Sequence, residues 1–215
     1  MKTKSTISTV LNIVIFILMV FGAIVMFTGF KFMHGEEVAL ESTKLGILKF
    51  FTFQSNVFMG IVALLFTITK NKSTTLYVWK LIATGAVTLT FLIVFGDFWL
   101  ALGIPIMSML QNGNLIYHLV IPVLSILTFV FFERTDKIKF RFTFLGMIPT
   151  FVYAIFYAIV VFTHMENGVV PKKYDWYGFT NAGIYVGIAV IPVMLILSYI
   201  ICLLLLLANR KRHHT

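Results

Sequence analysis

Ile47-Leu48-Lys49-Phe50-Phe51-Thr52-Phe53-Gln54-Ser55-Asn56, followed by an apolar run to Thr69, decides how the chain must be read. A bilayer core of about 30 Å takes about 20 residues of helix, and this stretch is long and apolar enough to cross it. Yet it carries four uncharged polar residues near its start. At helical spacing Thr52, Ser55 and Asn56 share one face. Such a face is either hydrogen-bonding glue between membrane helices or the wall of a site.

The rest of the chain agrees with a membrane reading. Of its 215 residues, 60% are hydrophobic and 12% charged. A soluble domain averages roughly half apolar and about a quarter charged. The polar residues are too few to build a second, soluble domain, so residues 1–215 are expected to form one membrane domain. Six spans follow from hydropathy, at about Ser8–Phe30, Ile47–Thr69, Leu76–Leu100, Asn114–Glu133, Phe142–Thr163 and Phe179–Leu207. The expected fold is all-α, a six-transmembrane-helix bundle. The first span starts like a signal peptide, but it is too long and lacks a small-x-small cleavage site, so it reads as an uncleaved helix.

Net charge is +9. The basic residues sit mostly in short connections and tails, where they read as topology signals rather than as a nucleic-acid surface. Twelve Lys and Arg, Lys80 among them, fall on the ends and the connections after spans two and four; five fall on the other side. The excess predicts that both termini are cytoplasmic. Cys202 is the single cysteine, so no intrachain disulfide forms, and its place deep in span six reads as a buried thiol. No Cys/His cluster has zinc spacing, and neither a metal nor an organic cofactor is implied. The expected partner is a membrane lipid or a lipid-like substrate, with no nucleic acid.

With this topology, polar residues from five spans converge on one depth. Thr52 lies roughly 7 Å and His118 roughly 6 Å below the outer boundary, at 1.5 Å per residue. Asp97 ends span three there, Tyr157 lies near the outer end of span five, and Thr180 and Asn181 begin span six. Scattered glue has no reason to choose one depth, whereas a pocket does. His118 is the best base, since imidazole titrates near neutrality. Thr52 or Ser55 supplies a hydroxyl nucleophile, and Asp97 is placed to orient the imidazole. Gln54, Asn56 or Tyr117 would donate to an oxyanion. Glu133 reads as an interfacial ion pair with Arg134, Trp176-Tyr177 as an interfacial aromatic anchor, and the uncharged connection Ala101–Gly113 as a segment suited to the interface.

Two motifs also carry a resemblance. Lys49-Phe50-Phe51-Thr52-Phe53 with Gln54-Ser55-Asn56, and His118-Leu119-Val120-Ile121-Pro122, resemble the androgen-induced protein family of six-helix membrane proteins. Its eukaryotic members are intramembrane threonine hydrolases that cleave fatty acid esters of hydroxy fatty acids. The resemblance implies a nucleophile at Thr52 and an essential histidine at His118. It implies nothing for Asp97. Gln54-Ser55-Asn56 departs from the more apolar eukaryotic continuation and looks closest to the bacterial branch. The expectation is an intramembrane lipid-ester hydrolase of the bacterial cell membrane. Two alternatives stand beside it: a lipid or small-molecule binding or transport protein using the same pocket without hydrolysis, and a proton-coupled transporter centred on Asp97 and His118.

Overall fold

The computed structural model describes residues 2–33, 42–69, 72–101, 103–133 and 138–214, without the side chains of residues 2–4, 97–99, 101, 213 and 214. Several sequence readings fall outside the described residues: the side chain of Asp97, the acidic residues Glu36, Glu37 and Glu41, His34, and the basic loop holding Arg134 and Lys137.

Six helices are long and apolar enough to cross a membrane: α1 (Ser5–Thr28), α2 (Phe51–Ile68), α3 (Thr74–Gly96), α4 (Gly113–Phe132), α5 (Phe140–Thr163) and α6 (Ile184–Arg212). Among the described residues there is no strand, only one isolated bridge between Glu166 and Val169 in the connection after α5. Six crossings bring both chain ends to one face.

α3 is the axis of the bundle. It is 67% buried, against 28% for α1, α5 and α6. The cause lies in its sequence: Ala83, Thr84, Gly85, Ala86 and Thr88 are small, and small residues let membrane helices approach closely. A Cβ at Gly85 would collide with the Cys202 sulfur, and so would one at Gly146 of α5. Cys202 is fully buried between these two glycines, a packing thiol as its position implied. The outward faces of α1, α5 and α6 stay apolar where nothing in the chain covers them. Ile17, Ile24, Val152, Ile159, Val193 and Leu204 are each more than half exposed, as surfaces bathed in hydrocarbon should be.

Two helix starts differ from the hydropathy reading. α2 begins at Phe51, because Lys44–Lys49 winds as a 3₁₀ turn that ends on extended backbone at Phe50. Thr52 is therefore the second residue of its helix and sits at the mouth of the bundle. α6 begins at Ile184, because Gly183 turns the chain through φ +104°. Thr180 and Asn181 belong to the turn before it.

Two charge readings are corrected on the termini-bearing face. Lys80 is not a loop cation. It lies within α3, fully buried, with its ammonium 3.6 Å from Glu133. Glu133 thus has a partner in Lys80, inside the bundle rather than at its rim. Asn12 of α1 donates to the same carboxylate oxygen at 2.8 Å and accepts from Lys80. Asn209 of α6 donates to the Glu133 backbone carbonyl at 2.5 Å. A buried charge needs a pair and further hydrogen bonds to offset its desolvation, and Lys80 of α3 with Asn12 of α1 supplies them on one carboxylate oxygen here.

Candidate active site

At the opposite end of the bundle a cavity of about 90 Å³ opens between the helices. Thr52 lines it from the first turn of α2 and His118 from α4. Leu89, Thr90 and Ile93 of α3 form its back. Thr150 of α5 and Met194 of α6 line its deeper part. The walls are mostly apolar, with a few convergent polar groups, which is the usual make-up of a small-molecule site.

His118 sits in an irregular stretch for a definable reason. Pro122 lacks the N–H that would bond the His118 carbonyl in an α-helix. The chain instead widens into a π turn over Ile116–Val120, closed by the Ile121 N–H on the Ile116 carbonyl. Such turns recur at functional sites because they re-aim a side chain. The His118 Nδ1 lies 2.7 Å from the Met109 carbonyl oxygen. A carbonyl can only accept, so Nδ1 carries a proton, and in the neutral ring Nε2 keeps its lone pair. Nε2 makes no hydrogen bond among the described residues, and the ring is 5% exposed. This is the tautomer of a general base, oriented by a backbone carbonyl in the role that the sequence reading gave to Asp97.

Met109 reaches that position because the connection before α4 does not lie flat on the surface. It forms a short helix, Ile106–Met109, and folds into the bundle with Met109 fully buried.

Thr52 is held from both sides of its peptide. Its carbonyl accepts from the Ser55 hydroxyl at 3.1 Å and from the Asn56 amide at 2.8 Å. Ser55 also bonds Thr90 of α3 at 3.2 Å, and Asn56 donates to the Tyr117 carbonyl of α4 at 3.1 Å. These two residues thus tie α2 to α3 and α4 and fix the backbone beneath Thr52. Neither lines the cavity. Gln54 is exposed and reaches back to the Leu48 carbonyl at 2.8 Å, where it finishes the 3₁₀ turn. The Tyr117 hydroxyl points away, donating to the Met19 carbonyl of α1 at 2.7 Å. Tyr157 donates to Asp175 rather than into the cavity.

The residue that sequence reasoning missed is Tyr177. Trp176 and Tyr177 do not anchor in an interface: Trp176 is buried and Tyr177 lines the cavity. The Tyr177 hydroxyl accepts from the Phe51 N–H at 3.0 Å, one of the orphan donors at the start of α2. Burial pushes this phenol up to about 12, against the Phe51 N–H and the neighbouring polar groups of Tyr153 and Thr52, which pull it down. It is therefore neutral, and it lines the cavity beside Thr52. Asp175 clamps the loop that carries Tyr177, accepting from the Phe179 N–H at 3.0 Å and the Thr180 N–H at 2.9 Å. Burial raises its carboxyl, but the bonds from Thr180, Tyr157 and Phe179 outweigh burial and hold it below the usual carboxylate range.

No family model, curated protein or solved structure matches this chain.

Among the described residues no group of three or more His, Cys, Asp or Glu is placed to hold a metal ion. The cavity presents a hydroxyl at a helix start, an imidazole whose Nε2 makes no hydrogen bond among the described residues, and a neutral phenol. Beyond them lies apolar wall with room for a hydrocarbon segment.

Proposed function

We propose that this protein is a multi-pass protein of the bacterial cell membrane, with both termini cytoplasmic, that hydrolyses fatty acyl esters. Thr52 is the nucleophile and His118 the base. The observation that carries the reading is that both residues line one apolar cavity, with His118 held through Nδ1 by the Met109 carbonyl. The excess of Lys and Arg on the ends and their neighbouring loops supports the orientation. The bacterial location rests on the resemblance of Phe51-Thr52-Phe53-Gln54-Ser55-Asn56 to the bacterial branch of the androgen-induced protein family.

In the proposed reaction the Thr52 Oγ1 attacks the acyl carbonyl and His118 Nε2 takes the hydroxyl proton. The ester C–O bond breaks, and the alcohol leaves with that proton. Water, activated by the same nitrogen, then cleaves the threonyl ester and releases the fatty acid. Tyr177, neutral and beside Thr52, is the available hydrogen-bond donor to the carbonyl oxygen as charge develops on it. Burying the acyl chain against the cavity walls contributes about 0.8 kcal/mol per CH₂.

The test is turnover of fatty acyl esters by the protein reconstituted in lipid. Hydrolysis that is lost in Thr52→Ala and His118→Ala supports the reading. Saturable lipid binding without turnover in the wild type would replace it with a carrier that uses the same cavity.

A further inference from the structure

A second, smaller cavity of about 40 Å³ adjoins the first, and Met26 and Asn114 line both. The two differ in chemistry. The first is walled by Leu89, Ile93, Val94 and Met194 around its few polar groups. The second mixes Val25, Met26 and Phe30 with Ser42, Thr43, Gln111 and Asn112, a larger polar share than in the first. Asn114 joins them. Its residue is 7% exposed, and its side-chain amide has no hydrogen-bond partner among the described residues. The residue lines both cavities, where a ligand can reach its amide.

The second cavity is built, not incidental. Asn112 stands at φ +53°, a conformation rare for a residue with a side chain. Its Oδ1 holds the ends of two peptides, accepting from the Phe32 and Met33 N–H groups at 2.8 Å each. A Cβ at Gly113 would strike Met26, so the wall shared by the two cavities is closed by an approach only glycine permits.

We propose that the second cavity seats the alcohol part of the ester, and that this part is a small uncharged polyol of the glycerol type. This rests on the proposed ester hydrolysis at Thr52. The argument is chemical. Hydroxyls and amides both donate and accept, and so does a polyol. An anionic head group is best held by a cluster of cations, and Lys31 is the one charged residue among the described lining residues. Size gives the same answer: a water needs roughly 10–15 Å³ on this measure, so the cavity holds about three, the room of a three-carbon polyol rather than of a sugar chain. With the ester at Thr52 and His118, the acyl chain runs along the apolar cavity toward Thr150 and Met194. The alcohol passes Met26 and Asn114 into the polar one, and leaves through it once His118 has returned the proton.

The test compares a monoacylglycerol with the methyl ester of the same fatty acid, using full-length protein in lipid nanodiscs. The glycerol ester is expected to have a kcat/KM about 10-fold higher, the worth of one or two uncharged hydrogen bonds. In Asn114→Leu, and in Thr43→Val should the first variant fail to fold, that ratio is expected to fall toward one. Should neither ester turn over, the hydrolysis reading fails alone, and the preference is read instead from equilibrium binding of a 1-O-alkylglycerol against an alkyl methyl ether of equal chain length. Equal turnover or binding of the two ligands by the wild type overturns the proposal, as does a preference that survives both substitutions.

Discussion

The Nδ1 of His118 lies 2.7 Å from the backbone carbonyl oxygen of Met109. That contact fixes the imidazole tautomer, because the carbonyl can only accept. It also depends on backbone geometry at both ends, on the fold-back of the connection that carries Met109 and on the π turn that aims the ring. The orientation of the His118 ring is therefore set by main chain, and the predictions below probe what holds it.

Pro122→Ala restores an N–H within reach of the His118 carbonyl. It lets the π turn over Ile116–Val120 relax to an α-helix. Thermal stability is expected to stay level or rise, while ester turnover falls by about 10-fold or more as the ring shifts from its aim. Unfolding midpoints and turnover on the same preparations check this. Unchanged turnover would mean that the register of α4 is irrelevant to the site.

Tyr177→Phe removes the hydroxyl that accepts the Phe51 N–H beside Thr52. The expected cost is about 1 kcal/mol of stability, the net worth of an uncharged hydrogen bond. A larger loss is expected in kcat than in KM if the phenol serves the developing oxyanion. A change confined to KM would reduce Tyr177 to a substrate contact.

Lys80 and Glu133 are expected to behave as a unit. Lys80→Met leaves a buried carboxylate without its cation and should cost about 3–5 kcal/mol. The double substitution Lys80→Met with Glu133→Leu removes both charges and should recover most of that loss. Thermal midpoints in detergent for the two single variants and the double one decide it. Additive losses would show that the two charges are not coupled.

Asp175 gives the loop before α6 an acid limit. Its folded carboxyl titrates below the usual range. The stability it contributes is therefore fully present above the unfolded value of about 3.9 and is lost as pH falls through the folded value. Trp176, one residue on and buried, reports it. Its emission should shift to the red on acidification in the wild type and be pH-independent and redder in Asp175→Asn. Identical acid profiles for the two proteins would assign the transition elsewhere.

The six spans were legible because hydropathy over twenty residues averages out local detail. Their ends were not. The start of α2 at Phe51 depends on a 3₁₀ turn, and the start of α6 at Ile184 depends on Gly183, neither of which alters the apolar count. Thr52 and His118 drew attention because polar residues in apolar helices stand out, and both line the cavity. Ser55 and Asn56 stood out for the same reason, yet their hydrogen bonds go to the Thr52 carbonyl and to α3 and α4, since the helical face they share with Thr52 meets those helices. Met109 acts through its carbonyl, which every residue has, so no sequence signal marks it. Tyr177 was hidden by its setting: a Trp-Tyr pair beside a span looks like a membrane anchor until the Asp175 clamp turns it inward. Lys80 counted as a loop cation only because its partner Glu133 is 53 positions away in the chain.

The most direct measurement is labelling of the purified, folded protein with a fluorophosphonate probe, followed by mapping of the modified residue. An activated threonine predicts one adduct on Thr52, absent in Thr52→Ala and His118→Ala and retained in Ser55→Ala. No adduct on the folded wild type, or an adduct that persists in Thr52→Ala, would contradict nucleophilic catalysis at Thr52.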